Sequence, residues 1–202
     1  MLRALATLVG QHGEMLRALL VVDVQQGFND VKYWGPRNNP TCEANISALM
    51  RAWRDAGQPI VRVVHDSLTP GSPLAAGLEG NAVKPEVDGP VDLEVRKSVH
   101  SSFHGTPDLD AWLKEQGVEG IAVCGITTNM CCETTARIGS DLGYDLWFVL
   151  DATAGYDLAS ADGSVVTAAQ LARSTAAILA ADFGRVLDTE TACASVSVAS
   201  TV

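Results

Sequence analysis

The chain has 202 residues, of which 47% are hydrophobic, so it is long enough to enclose a substantial core within one domain. Its net charge of -10 argues against nucleic acid or an anionic membrane as the main partner, because both demand a basic surface. The 5 cysteines lack the spacing of a disulfide framework or a zinc site, which favours a reducing, cytoplasmic location.

The N-terminal sequence contains a short repeat. MLRAL occupies residues 1–5 and recurs at residues 15–19, where it leads into the first apolar segment. Met15 is therefore an alternative start, and residues 1–14 are interpreted as an N-terminal extension that lacks the apolar core and cleavage site of a signal peptide. The domain itself is expected over residues 15–190, followed by a small-residue C-terminal tail over 191–202.

Apolar segments alternate with segments of helical periodicity along the domain. Strands are predicted at residues 17–25, 59–67, 92–97, 120–126, 145–153 and 185–189. Helices are predicted at residues 45–57, 107–117, 130–143 and 167–184, and a long loop at residues 66–92. Strands joined through helices form parallel sheets by right-handed crossovers. The predicted fold is a single-domain α/β, Rossmann-like three-layer αβα sandwich with a mostly parallel central sheet.

Chemically useful side chains stand at the ends of several predicted strands. Asp23, His65 and Lys97 follow the first three strands, and Cys131 opens the helix after the fourth. Since sites in open parallel sheets lie outside the carboxyl ends of the strands, we expect these four groups to meet. The helix start and Lys97 would favour a Cys131 thiolate, Asp23 would accept its proton, and backbone N–H groups from Thr127 onward would form an oxyanion hole.

Three segments, in this order, resemble the isochorismatase-like cysteine hydrolases, a Rossmann-like family that includes nicotinamidases and N-carbamoyl amidases. They are LLVVDVQQGF with Asp23, RKSVHSSFHGTPDLDAWL with Lys97, and GITTNMCCETTARIGSDLGYDLWFVLDAT with Cys131. The resemblance runs from about residue 19 to residue 189. It implies that Asp23 is the general base, Lys97 an orienting cation and Cys131 the nucleophile, whereas Cys132 fills the apolar position that follows.

The resemblance also implies a cis peptide bond between Ile126 and Thr127 and assembly into a homodimer or homotetramer. Within the family, nicotinamidases hold zinc through an Asp-x-His pair after the second strand and a further histidine. Here the corresponding segment, VVHDSLTPGSPLAAG, has one histidine and no partner at ligand spacing. We therefore predict neither a metal nor another cofactor.

The substrate is expected to be a small molecule with an amide or lactam C–N bond, because the chain retains the cysteine that forms a thioester. Its loops resemble a bacterial sub-branch that includes an enzyme opening the lactam of streptothricin antibiotics. Two alternatives stay open, namely hydrolysis of an isochorismate-like vinyl ether and a catalytically inactive protein that binds small molecules. Predicted substrate-binding residues are Phe28, Trp34, His65, His100, Phe103 and Tyr156.

Overall fold

The structure, a computed structural model, describes residues 15–198, so the predicted extension over residues 1–14 lies outside the described residues. The strands are β1 Leu16–Val22, β2 Ile60–His65, β3 Leu93–Lys97, β4 Val118–Ile126, β5 Asp145–Ala154, β6 Leu158–Ala159, β7 Val165–Val166 and β8 Arg185–Leu187. The helices are α1 Val31–Trp34, α2 Cys42–Asp55, α3 Leu109–Glu115, α4 Glu133–Asp141, α5 Ala168–Asp182 and α6 Thr189–Val198.

Six strands form one parallel sheet in the order β3-β2-β1-β4-β5-β8. Strand β1 lies in the middle of the sheet, the next two strands extend the sheet outward to β3, and the chain then crosses back to β4 on the other side of β1. The strand order therefore reverses between β1 and β4, where open α/β sheets bind their ligands. The predicted fold class is confirmed, and the switch point falls between the strands that lead to Asp23 and Cys131.

Side chains of successive sheet residues point to two separate cores. Leu19 and Val21 of β1 pack with α2 and α6 on one face. Ala18, Leu20 and Val22 pack with α3, α4 and α5 on the other. Because both faces are covered, the central strands are continuous apolar runs, as expected for a buried parallel sheet.

Close contact between β1 and β4 depends on a glycine. Gly125 has a φ of 130°, and a Cβ on this residue would lie 2.0 Å from the carbonyl oxygen of Val22. Any side chain at residue 125 would push the two strands apart at the switch point. Gly125, the next-to-last residue of the sequence GIAVCGI, thus lets the ends of β1 and β4 come together.

Three elements were not predicted from sequence: α1, the β6–β7 hairpin and α6. The first two are too short to show a period. Helix α6 is composed mainly of small residues, yet Ala192 and Val196 are buried in the core that α2 forms with the sheet. The tail predicted from residue 191 thus begins inside a helix that packs on the domain. Among residues 15–198, no helix is long and apolar enough to cross a membrane.

Candidate active site

The carboxyl edge of the sheet carries the four groups singled out in the sequence. Asp23 directly follows β1, and His65 and Lys97 are the last residues of β2 and β3. Asp23 adopts a φ of 53°, which is uncommon for a residue with a side chain and is concentrated at functional sites. Cys131 lies in a π-helical turn, Thr128–Cys132, that links β4 to α4.

Asp23 and Lys97 form a fully buried ion pair. The Lys97 Nζ is 2.6 Å from Oδ2 of Asp23, and neither side chain is exposed to solvent. Burial by itself lowers the pKa of Lys97, but the interactions with Asp23 and Cys131 outweigh it and raise that pKa overall. Lys97 is therefore an ammonium ion. Oδ1 of Asp23 has no hydrogen-bond partner among the described residues, so it is available to a reacting group.

His65 is the second neighbour of Lys97. Its Nδ1 lies 3.2 Å from Nζ of Lys97. Burial, together with the positive charge of Lys97, lowers the pKa of His65, so the imidazole is neutral and its Nδ1 can accept a hydrogen bond from the ammonium group. His65 thus gives the Lys97 ammonium a second polar neighbour beside Asp23.

The Cys131 thiol lies close to Asp23 and His65, and it is protonated in the resting site. Its Sγ, a carboxylate oxygen of Asp23 and a ring nitrogen of His65 all lie within 4.8 Å of one another. Burial and the charge of Asp23 raise the pKa of the thiol to about 12, and Lys97 offsets this only in part. Burial and Asp23 thus shift the pKa of the thiol in the direction opposite to the one that the helix start and Lys97 alone would give. Attack by sulfur requires a base, and Asp23 is the adjacent group that can accept the proton.

The same three side chains form the set of potential metal ligands at this edge. A cation held by Asp23, His65 and Cys131 would lie beside the ammonium of Lys97, which already contacts the first two. The two positive charges would repel each other in a buried site. The lysine thus supplies the positive charge that a metal would otherwise bring.

The backbone around Cys131 forms a tight loop. The Ile126–Thr127 peptide bond is cis, and the carbonyl oxygen of Thr127 accepts hydrogen bonds from the N–H groups of Met130 and Cys132 at 3.3 and 3.2 Å. The Thr128 hydroxyl donates to that of Thr153 at 2.8 Å, which ties the loop to β5. The nucleophile loop, residues 127–132, is therefore fixed to two neighbouring strands.

Three of the predicted substrate-binding residues form an aromatic cluster, defined here as Phe28, Trp34 and Tyr156. The Trp34 ring centroid lies 5.0 Å from that of Phe28 and 5.6 Å from that of Tyr156. The polar atoms are satisfied internally, because Trp34 donates to the carbonyl of Gly27 at 3.0 Å and Tyr156 to that of Phe28 at 2.5 Å. Phe28 and Tyr156 are buried, and Trp34 is half-buried.

The other two aromatic predictions occupy different places. Phe103 stacks on Tyr144 with ring centroids 5.9 Å apart and packs against Gly139 of α4, in the core opposite to the aromatic cluster. His100 is exposed, but it lies close enough for its charge to lower the pKa of His65. The structure therefore gives His100 an electrostatic interaction with His65 and places Phe103 beneath α4.

Two buried amides that position His65 were missed in the sequence. Gln25 accepts from the backbone N–H of His65 at 2.9 Å and donates to its carbonyl at 3.1 Å. Asn81, from the long loop after β2, donates to the same carbonyl at 3.0 Å. A glutamine at the end of the apolar strand predicted at residues 17–25 was a usable signal, because a buried amide needs partners. Asn81 lies in a loop without periodicity, so the sequence contains no comparable signal for its role.

Comparisons with known proteins identify the family of this chain. A sequence model of the isochorismatase domain matches residues 17–183. The isochorismatase family protein YrdC of Bacillus subtilis (strain 168) is 37% identical over 179 residues, covering 88% of this chain and 94% of that protein. Streptothricin hydrolase of Streptomyces noursei is 35% identical over 147 residues, which make up 72% of this chain but only 52% of the relative.

A solved structure of a cysteine hydrolase has the same fold. The cysteine hydrolase from Pseudomonas syringae pv. phaseolicola 1448A superimposes with a TM-score of 0.82 at 28% identity, covering 91% of this chain and 93% of that one. The family match spans most of the domain, and the similarity includes the segments that carry Asp23, Lys97 and Cys131. The chain belongs to the isochorismatase family of hydrolases.

Proposed function

We propose that this protein is a metal-independent cysteine hydrolase that cleaves the C–N bond of a small amide or lactam through a thioester on Cys131. The observation that carries the proposal is the buried Asp23–Lys97 pair at 2.6 Å with the Cys131 thiol beside it. Burying such an ion pair is energetically unfavourable because both charges lose their hydration. Next to a nucleophile, however, the pair can transfer a proton and balance charge. One relative is named streptothricin hydrolase, and this name supports a lactam among the candidate substrates.

The proposed reaction has two halves. Asp23 takes the thiol proton as Sγ attacks the carbonyl carbon, and the N–H groups of Thr127 and Cys131 stabilise the resulting oxyanion. Asp23 then returns the proton to the leaving nitrogen as the C–N bond breaks, which leaves a thioester. In the second half Asp23 accepts a proton from water, hydroxide adds to the thioester, and the acid departs as Cys131 regains its proton.

Lys97 remains protonated throughout this cycle. Its ammonium neutralises Asp23 before the reaction and the developing sulfur charge during it, so the buried site never carries an unpaired anion. Gln25 and Asn81 hold His65 in place. His65 in turn keeps the Lys97 ammonium between the Asp23 carboxylate and the Cys131 sulfur. We further propose, from the sequence, that the protein is cytoplasmic and forms a homodimer or homotetramer.

The proposal is tested by incubating wild type and Cys131→Ala with a panel of primary amides and lactams, including streptothricin. Hydrolysis by wild type alone is expected. Equal turnover by Cys131→Ala would overturn the mechanism. Cleavage of vinyl ethers without cleavage of any amide would support the ether alternative, and tight binding of panel members without turnover would support a catalytically inactive binding protein.

A further inference from the structure

A single carboxylate fastens both ends of one surface segment at the carboxyl edge of the sheet. Glu43, in the first turn of α2, accepts from Arg37 Nη1 at 2.5 Å and Nη2 at 2.8 Å. It also accepts from Lys84 Nζ at 2.5 Å, and this lysine donates to Oδ1 of Asn29 at 2.7 Å. Asn29 and Arg37 bound the segment 29–37, which contains α1, so Glu43 holds that segment at its start and its end.

The charges in this network are buried and persistent. Glu43 and Lys84 are 8% and 3% exposed. Burial opposes ionisation of Glu43, but hydrogen bonds from Arg37 and Lys84 lower the pKa of its carboxyl group to about 2. Removing one member of such a group leaves its partners charged and unpaired, which is strongly unfavourable. The network therefore specifies one position for the segment rather than a range of positions.

Segment 29–37 carries Trp34, the half-buried member of the aromatic cluster. The backbone of Arg37 also pairs with Tyr156 through an isolated antiparallel bridge. Next to Tyr156, a Cβ on Gly155 would lie 3.5 Å from Oδ1 of Asn129, two residues before Cys131 in the nucleophile loop. The segment held by Glu43 is thus continuous, through the Trp34 and Tyr156 rings, with the backbone that presents the thiol.

We propose that Glu43 is a positioning residue that sets Trp34 as a recognition surface for flat, apolar groups on the substrate. The inference rests on the proposed function, in which an acyl group must be held beside Cys131. The Trp34 indole N–H is already bonded to Gly27, so the cluster offers apolar ring surface and no free donor. Glu43 itself touches neither the substrate nor the reacting atoms.

The test uses two alkylating amides that differ by one ring, iodoacetamide and N-benzyl-2-iodoacetamide. Their rates of reaction with Cys131 are measured at pH 9 in wild type, Glu43→Gln, Trp34→Ala and the control Glu79→Gln, whose carboxylate is exposed. We expect wild type and Glu79→Gln to favour the benzyl reagent by about tenfold, consistent with one aromatic contact. Glu43→Gln and Trp34→Ala should lose that preference, whereas Glu79→Gln should keep both wild-type rates.

Hydrogen exchange of the same proteins provides a second readout that needs no substrate. Amides of residues 29–37 should exchange faster in Glu43→Gln than in Glu79→Gln, with the central strands unchanged. An unaltered benzyl preference in Glu43→Gln, or unaltered protection of this segment, would overturn the role of Glu43. Failure of the proposed function is a different result, since Cys131→Ala would then hydrolyse amides as wild type does.

Discussion

The ammonium group of Lys97 lies 2.6 Å from the carboxylate of Asp23, and both side chains are completely buried. Each charge makes the burial of the other tolerable, because an unpaired ion in the protein interior is strongly unfavourable. Within the described part of the chain, the pair also leaves Oδ1 of Asp23 without a hydrogen-bond partner, next to a protonated thiol. Stability and proton transfer therefore depend on the same carboxylate.

Asp23→Asn is expected to impair both properties. Loss of the general base should lower kcat/KM by about 10²–10⁴-fold. Loss of the counter-ion should lower the free energy of unfolding by about 3–5 kcal/mol, because Lys97 stays buried and charged. Urea unfolding and turnover measure the two effects. In the control Asp66→Asn, which breaks the more exposed ion pair with Arg96, the change in stability should be about 1 kcal/mol or less.

Cys131 should react with iodoacetamide in a strongly pH-dependent way. Because burial and Asp23 raise the pKa of its thiol to about 12, the labelling rate should increase through pH 7 to 10 without a plateau. Asp23→Asn removes a negative charge beside the thiol, so its pKa should fall and labelling at pH 7 should become faster than in wild type. Mass spectrometry of the Cys131 peptide follows the rate, and a wild-type plateau below pH 8 would contradict the assignment.

Protonation of Glu43 should make the free energy of unfolding depend on pH in the acid range. The folded-state pKa of about 2 is lower than the ordinary value of 4.5, so the stabilisation is complete above about pH 5 and is lost as pH falls toward 2. The difference between these two pKa values corresponds to a contribution of about 3 kcal/mol to the free energy of unfolding. Glu43→Gln should be less stable than wild type at pH 7 and should lose less stability between pH 5 and 2. The free energy of unfolding is measured with urea at each pH. If it falls equally in wild type and Glu43→Gln as the pH is lowered, Glu43 makes no such contribution.

Gly125 should tolerate no side chain. Gly125→Ala would place a Cβ 2.0 Å from the Val22 carbonyl at a φ of 130°, and we expect little folded protein on expression. Gly117 provides the matched control, since its φ is 71° and a Cβ there would meet nothing within 4 Å. Gly117→Ala should cost only about 1–2 kcal/mol, the usual cost of the left-handed conformation. Similar stabilities for the two variants would contradict the close approach of β1 and β4.

The sequence predicts much of this arrangement because its signals are local. Apolar runs that stop at Asp23, His65 and Lys97 identify strand ends, and parallel strands bring their ends to one edge. The state of the Cys131 thiol could not be obtained in this way, since it depends on burial and on its distance from Asp23. The role of Glu43 was equally hidden, because an acid in a first helical turn ordinarily compensates the helix dipole.

The most direct measurement is mass spectrometry of the protein quenched during turnover of a lactam. Ring opening by Cys131 retains both parts of the substrate, so the Cys131 peptide should gain the full mass of the lactam, and a primary amide should add its mass less ammonia. Cys131→Ala should show neither the adduct nor turnover. Hydrolysis by Cys131→Ala at the wild-type rate, or an adduct on another residue, would contradict the account.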